Sequence, residues 1–216
     1  MRQKIQFTAI LLLVLASFST LAQESFSEGS VVYNVTIPAT ATNPAKQIGT
    51  YTVIIKNKMV RKEFALENGF TSTLIYNIAA GTAVSLKDIP NRKFAIQLNV
   101  ADLKKQYKQY EGFKLNESGQ STNTGGYSCK QATLTYKDGK TINICLSAWT
   151  LPDPMIFEYF PAIKYLPLSF EFINEEGKMI VFEAKEVLRT PVESSLFRVP
   201  TDYKIITNEE YKKLSQ

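Results

Sequence analysis

From Val31 onward, apolar and polar residues alternate along the chain instead of recurring at helical spacing, and Gly or Asn punctuates the alternation at regular intervals. This pattern predicts a mostly antiparallel β protein. Residues opposed across an antiparallel pair share one side of the sheet, so the register of each hairpin follows from its apolar set. A three-residue loop at Lys137-Asp138-Gly139 opposes Tyr136 to Lys140, Leu134 to Ile142 and Ala132 to Ile144, whereas a two-residue loop would set Leu134 against Asn143. The same device at Glu175-Glu176-Gly177 opposes Phe172 to Ile180, Phe170 to Phe182 and Leu168 to Ala184. At Ala79-Ala80-Gly81 it opposes Ile78 to Thr82, Tyr76 to Val84 and Leu74 to Leu86. Glycine in the third loop position suits a turn that ends in a left-handed residue and a bulge. Between Tyr51 and Leu66, an Asn57-Lys58 turn opposes Ile55 to Val60 and Tyr51 to Phe64, and leaves Val53 facing Lys62 as the exception. Leu134, Ile142, Phe170 and Phe182 therefore share a single buried side.

Two short helices interrupt the hairpins. The first spans Asp102 to Glu111, with Leu103, Tyr107 and Tyr110 at helical spacing, Asp102 at its start and Gly112 at its end. The second opens on Asp153-Pro154 and runs through Met155, Ile156, Phe157, Tyr159 and Phe160 to Pro161, apolar nearly all round. The stretch from Asn116 to Gly126 holds no core-forming residue and reads as a mobile loop. The fold class is thus mainly β with two short helices, a curved antiparallel meander forming an incomplete barrel with helices over its concave face. A curved sheet cannot close its concave side with strands alone. Either the helices fill that side, or an apolar pocket remains between helix and sheet.

The N-terminus departs from this pattern. Met1-Arg2-Gln3-Lys4 runs into the apolar Ile10 to Ala16 and the small-residue exit Ser19-Thr20-Leu21-Ala22, the layout of a secretory signal peptide over 1–22. Gln23-Glu24-Ser25 follow with no cysteine for acylation, so the exported chain is expected to be free of an N-terminal lipid, periplasmic or secreted. The length suits one domain, 23–207, with a C-terminal tail, 208–216, that forms a frayed last turn. No later stretch approaches a spanning helix. Export argues against nucleic acid as a partner for the Lys104-Lys105-Gln106-Tyr107-Lys108 run, which reads as a solvated helix face, and a formal net charge of +5 names no partner.

The chemistry is narrowed mainly by what the chain lacks. With no histidine in 216 residues, triads that need one, the usual zinc sites and imidazole acid–base catalysis are excluded. No nucleophile elbow, phosphate-cradling loop or calcium loop is present, and no cofactor or metal is implied. Carboxylate pairs such as Asp153 with Glu158, or Glu171 with Glu183, are the remaining hydrolytic possibility, although Glu171 and Glu183 read as a solvated face. An oxidising compartment favours a bond between the two cysteines, Cys129 and Cys145. The hairpin register makes them diagonal on its outer face, so a relaxed bridge requires a further bulge near Gly125-Gly126-Tyr127, and two free thiols are the alternative.

Three stretches carry a family likeness: Gly126-Tyr127-Ser128-Cys129-Lys130-Gln131-Ala132, Tyr165-Leu166-Pro167-Leu168-Ser169-Phe170-Glu171, and Val192 through Lys204 around Phe197-Arg198-Val199-Pro200. With Tyr51-Thr52-Val53-Ile54-Ile55-Lys56 and Arg61, they resemble an uncharacterised family of exported Bacteroidota proteins and, distantly, the GLPGLI family. Both look related to the lipoprotein-carrier (LolA/LolB-like) superfamily, which implies an incomplete barrel with helices over a lipid-binding concave side. The resemblance also implies Phe197 as a buried anchor, Pro200 as a strand terminator and Tyr127-Ser128-Cys129 as the start of the central hairpin. This chain departs from the family in carrying Cys145, and from the GLPGLI signature in reading Tyr165-Leu166-Pro167-Leu168-Ser169. The expected function is a periplasmic binding module, not an enzyme, that shelters a lipid or acyl chain under Phe94, Ile96, Leu98, Phe170, Phe172 and Phe182. The alternative is a cell-envelope interaction or scaffold protein with a protein partner.

Overall fold

The computed structural model describes residues 24–89 and 92–214; the signal peptide expected over 1–22 lies outside the described residues. Among them, twelve strands form one sheet. The first six are β1 (Glu28–Ile37), β2 (Lys46–Lys56), β3 (Met59–Leu66), β4 (Thr71–Asn77), β5 (Thr82–Ile89) and β6 (Arg92–Leu98). The rest are β7 (Lys114–Thr124), β8 (Tyr127–Thr135), β9 (Thr141–Thr150), β10 (Tyr165–Ile173), β11 (Met179–Leu188) and β12 (Lys204–Thr207). Their order is β12-β6-β5-β4-β3-β2-β1-β11-β10-β9-β8-β7. Two antiparallel meanders, β1 to β6 and β7 to β11, are therefore joined where the first strand pairs with the last of the second run. Only β12, beside β6, is parallel. The sheet does not close, so the fold is an incomplete barrel.

The hairpin registers at Asn57-Lys58, Lys137-Asp138-Gly139 and Glu175-Glu176-Gly177 are those expected, including Val53 against Lys62 and Phe170 against Phe182. The hairpin after β4 differs. Asn77 opposes Thr82 and Ile75 opposes Val84, one residue out of the expected register. The Asn77 side chain accepts a hydrogen bond from the Ala80 amide at 2.9 Å and stabilises a four-residue loop. The shift leaves Tyr76 and Ala83 buried on the inner face and Ile75 and Leu86 buried on the outer one, where Phe197, Val199 and Tyr203 cover them. Both faces of these strands are packed, so apolar matching alone could not fix their register.

Helix α1 spans Val100–Tyr107 and continues as a 3-10 turn, Lys108–Tyr110. Its cap is Asn99, not Asp102, and the Asn99 side chain accepts from the Ala101 amide at 2.9 Å. The expected second helix is corrected to a single 3-10 turn, Pro154–Ile156, followed by further tight turns. Six residues between two prolines are too few to repay helix nucleation, whereas turns let Ile156, Phe157, Phe160 and Ile163 all reach the core. The second helix, α2, is instead Asn208–Leu214. The main core unites Tyr33, Leu134, Ile142, Ile144, Phe170 and Phe182 with the apolar turns over 154–163, which form a plug.

Asn116 to Gly126 is also corrected. Most of it is β7, an edge strand held by backbone pairing to β8, whose exposed side chains need no core. The β7–β8 hairpin folds back so that Gly125 lies against β11: a Cβ there would stand 2.1 Å from the Ala184 carbonyl oxygen. The Tyr127 hydroxyl donates to the Val187 carbonyl at 3.1 Å. Tyr127-Ser128-Cys129 thus opens the penultimate strand, not a central one. Pro200 does not end a strand but sits in the turn before β12, its carbonyl accepting from the Tyr203 amide.

Cys129 and Cys145 form a disulfide with Cα atoms 5.4 Å apart. The diagonal register is as expected, with Cys145 opposite Gln131. The bulge expected at Gly125-Gly126-Tyr127 is not there: Thr124 pairs with Tyr127 in regular register, and the shift in the β7–β8 pairing lies between Glu117 and Ser121. The β8–β9 ladder ends at Lys130 opposite Leu146, so Cys129 lies just beyond it and closes on Cys145 from there.

Candidate functional site

The alternation that places even-numbered side chains of β3, β4, β10 and β11 on the inner face brings Phe64, Leu74, Phe170, Phe172, Ile180 and Phe182 to one end of the plug. Together with Tyr51, Ser72, Phe157 and Tyr159 they line a cavity of about 350 Å³ that is open on one side. This lies within the roughly 300–1,000 Å³ typical of small-molecule pockets. The wall is built from interlocking rings: Phe170 stacks on Phe182 at 4.6 Å between centroids, and Tyr159 packs on Phe172 at 4.8 Å. Tyr51 meets Phe182 edge-on at 5.5 Å. Aromatic contacts of this kind hold the wall in a fixed shape.

Two charged side chains interrupt it. Lys62, the exception of β3, is 6% exposed and pairs with Glu158 of the plug, 7% exposed. Tyr107 of α1 lies beside the pair, lining a small void with Lys62 and Glu158. Burial, and then the Glu158 charge, pushes the hydroxyls of Tyr51, Tyr107 and Tyr159 well above the usual tyrosine range. A buried pair of this kind is expensive to desolvate and is fixed only where both partners are well satisfied. It joins β3, the plug and α1 at one point.

Of the residues expected to bind a ligand, Phe170, Phe172 and Phe182 line this cavity. Phe94, Ile96 and Leu98 lie elsewhere on the inner face, in a separate cluster with Ile206 and Tyr211 of α2. The strand order explains the separation, since six strands stand between β6 and β10. Three of the four carboxylates of the acidic pairs have other partners, and Glu183 is exposed. Glu158 is neutralised by Lys62, Asp153 accepts from the Met155 amide at 2.9 Å, and Glu171 accepts from the Asn143 amide and side chain. Among the described residues no group of His, Cys, Asp or Glu is arranged to hold a metal ion. No helix among them is long and apolar enough to cross a membrane.

No family profile matches the chain, and no curated protein matches it. Solved structures match the chain at low identity. The crystal structure of MucB matches at 11% identity over 84% of this chain and 61% of that one, with a TM-score of 0.44. The complex structure of Pseudomonas aeruginosa MucA/MucB matches at 13% identity over 84% and 60%, with a TM-score of 0.45. A further structure of MucB with the periplasmic part of MucA matches at 13% over 84% and 58%, at 0.42. The chain spans about three-fifths of the length of these structures.

Proposed function

We propose that the protein is an exported, non-catalytic binding module, a single domain over 23–207, that shelters a lipid or acyl chain on the inner face of its half-barrel. The observation that carries this reading is the aromatic-walled cavity of about 350 Å³ between the plug and β2, β3, β4, β10 and β11. Its wall offers a chain continuous apolar contact, while its charged groups compensate each other and leave no free acid or base for catalysis. Export rests on the N-terminal charge and hydropathy pattern. The test is uptake of the fluorescent apolar probe N-phenyl-1-naphthylamine by the native protein and by Ile180→Trp, which fills the cavity. Uptake by the native protein and its loss in the folded variant support the reading. Equal uptake by both, or none by the native protein, contradicts it.

A second reading, an envelope interaction protein, draws on β7. This edge strand is eleven residues long and largely exposed. Its outer backbone groups can pair with an added strand. Cross-linking in cells through Gln120 would recover one dominant protein partner if that edge is the working surface, and no discrete partner if it is not.

A further inference from the structure

We infer that the buried Lys62–Glu158 pair selects the head group of the bound chain, favouring an uncharged alcohol or amide over a carboxylate of equal length. The inference rests on the chain-binding reading above and adds the ligand's polar chemistry. The cavity wall places its apolar rings, Phe64, Phe170, Phe172 and Phe182, in one continuous surface, and its charges, Lys62 and Glu158, together. A chain lying along the rings therefore brings its head to the pair.

Lys62 alone would make this corner a carboxylate receptor. Glu158 cancels that charge, and Tyr107 flanks the pair from the α1 side. Among the described residues no other cation lines the cavity, and Lys104 borders only a neighbouring void of about 10 Å³. A carboxylate head would add a second anion beside Glu158 in apolar surroundings, with one ammonium to balance two charges. A hydroxyl or amide adds none. It accepts from the ammonium, which has three N–H donors, and donates to the carboxylate, so the pair remains intact.

The experiment is displacement of N-phenyl-1-naphthylamine at neutral pH by decanol, decanamide and decanoate, from the native protein and from Glu158→Gln. In the native protein, decanol and decanamide should act at concentrations about tenfold or more below decanoate. In Glu158→Gln, which unmasks Lys62, decanoate should gain by about the same factor. Decanoate matching or surpassing decanol in the native protein overturns the head-group inference while leaving chain binding intact. Displacement by none of the three removes chain binding itself, and this inference with it. If Glu158→Gln does not fold, the native head-group series decides alone.

Discussion

Removing one member of the Lys62–Glu158 pair should cost more than removing both. Lys62→Ala leaves a buried carboxylate uncompensated and is expected to lower unfolding free energy by about 3–5 kcal/mol, whereas Lys62→Met with Glu158→Leu should be near neutral. Chemical denaturation of the three proteins checks this. Each half of the pair is legible in the sequence as an interruption: Lys62 breaks the apolar face of its strand, and Glu158 is the one charge in Met155 to Phe160. Their opposite signs hint at a partnership. Local periodicity carries no distance between residues 96 apart, however, so the meeting itself was not readable. Phe170 offers the apolar counterpart. Phe170→Ala would open a void beside Phe182, Phe157, Phe160 and Tyr33, and is expected to cost about 3–5 kcal/mol.

At the scale of elements, the β7–β8 hairpin is held by the disulfide and by the close approach of Gly125 to β11. Cys129→Ser with Cys145→Ser should lower stability by about 3 kcal/mol, as expected for opening a loop of this length. Hydrogen exchange in β7 should rise more than in β10. Equal protection in both strands would show that the disulfide does not hold this arm. Three hairpins were legible because one face of each is buried and the other wet, which ties register to pattern. The hairpin after β4 was not, because the C-terminal segment covers its outer face and both registers bury apolar groups. The plug is ambiguous in the sequence for a related reason. A run that is apolar all round satisfies a buried helix and a buried chain of turns equally, and Pro161 limited its length. β7 carries hardly any apolar signal, since an exposed edge strand is stabilised by backbone pairing alone.

For the whole molecule, buried phenols predict the alkaline limit. Burial raises the hydroxyls of Tyr33, Tyr51, Tyr107, Tyr136 and Tyr159 in the folded protein. Their contribution is fully present below about pH 10, where unfolded tyrosine titrates, and is lost as pH rises toward the folded values. Ultraviolet titration should show exposed tyrosines ionising first, and these five only together with unfolding. Smooth ionisation of all tyrosines without loss of structure would contradict the packing described for the inner face. The half-barrel itself was legible as a curved sheet of hairpins, but the pairing of β1 with β11, which joins the two meanders, is a contact across most of the chain that no local pattern encodes. It is also the contact that brings Tyr51 and Phe64 to Phe182, and so creates the cavity.

Native mass spectrometry of protein purified without detergent tests the central claim most directly. The account predicts a population heavier than the polypeptide by the mass of a hydrophobic chain, lost when Ile180 is replaced by Trp. A single species at the polypeptide mass in repeated preparations, with no adduct after incubation with decanol, would contradict it.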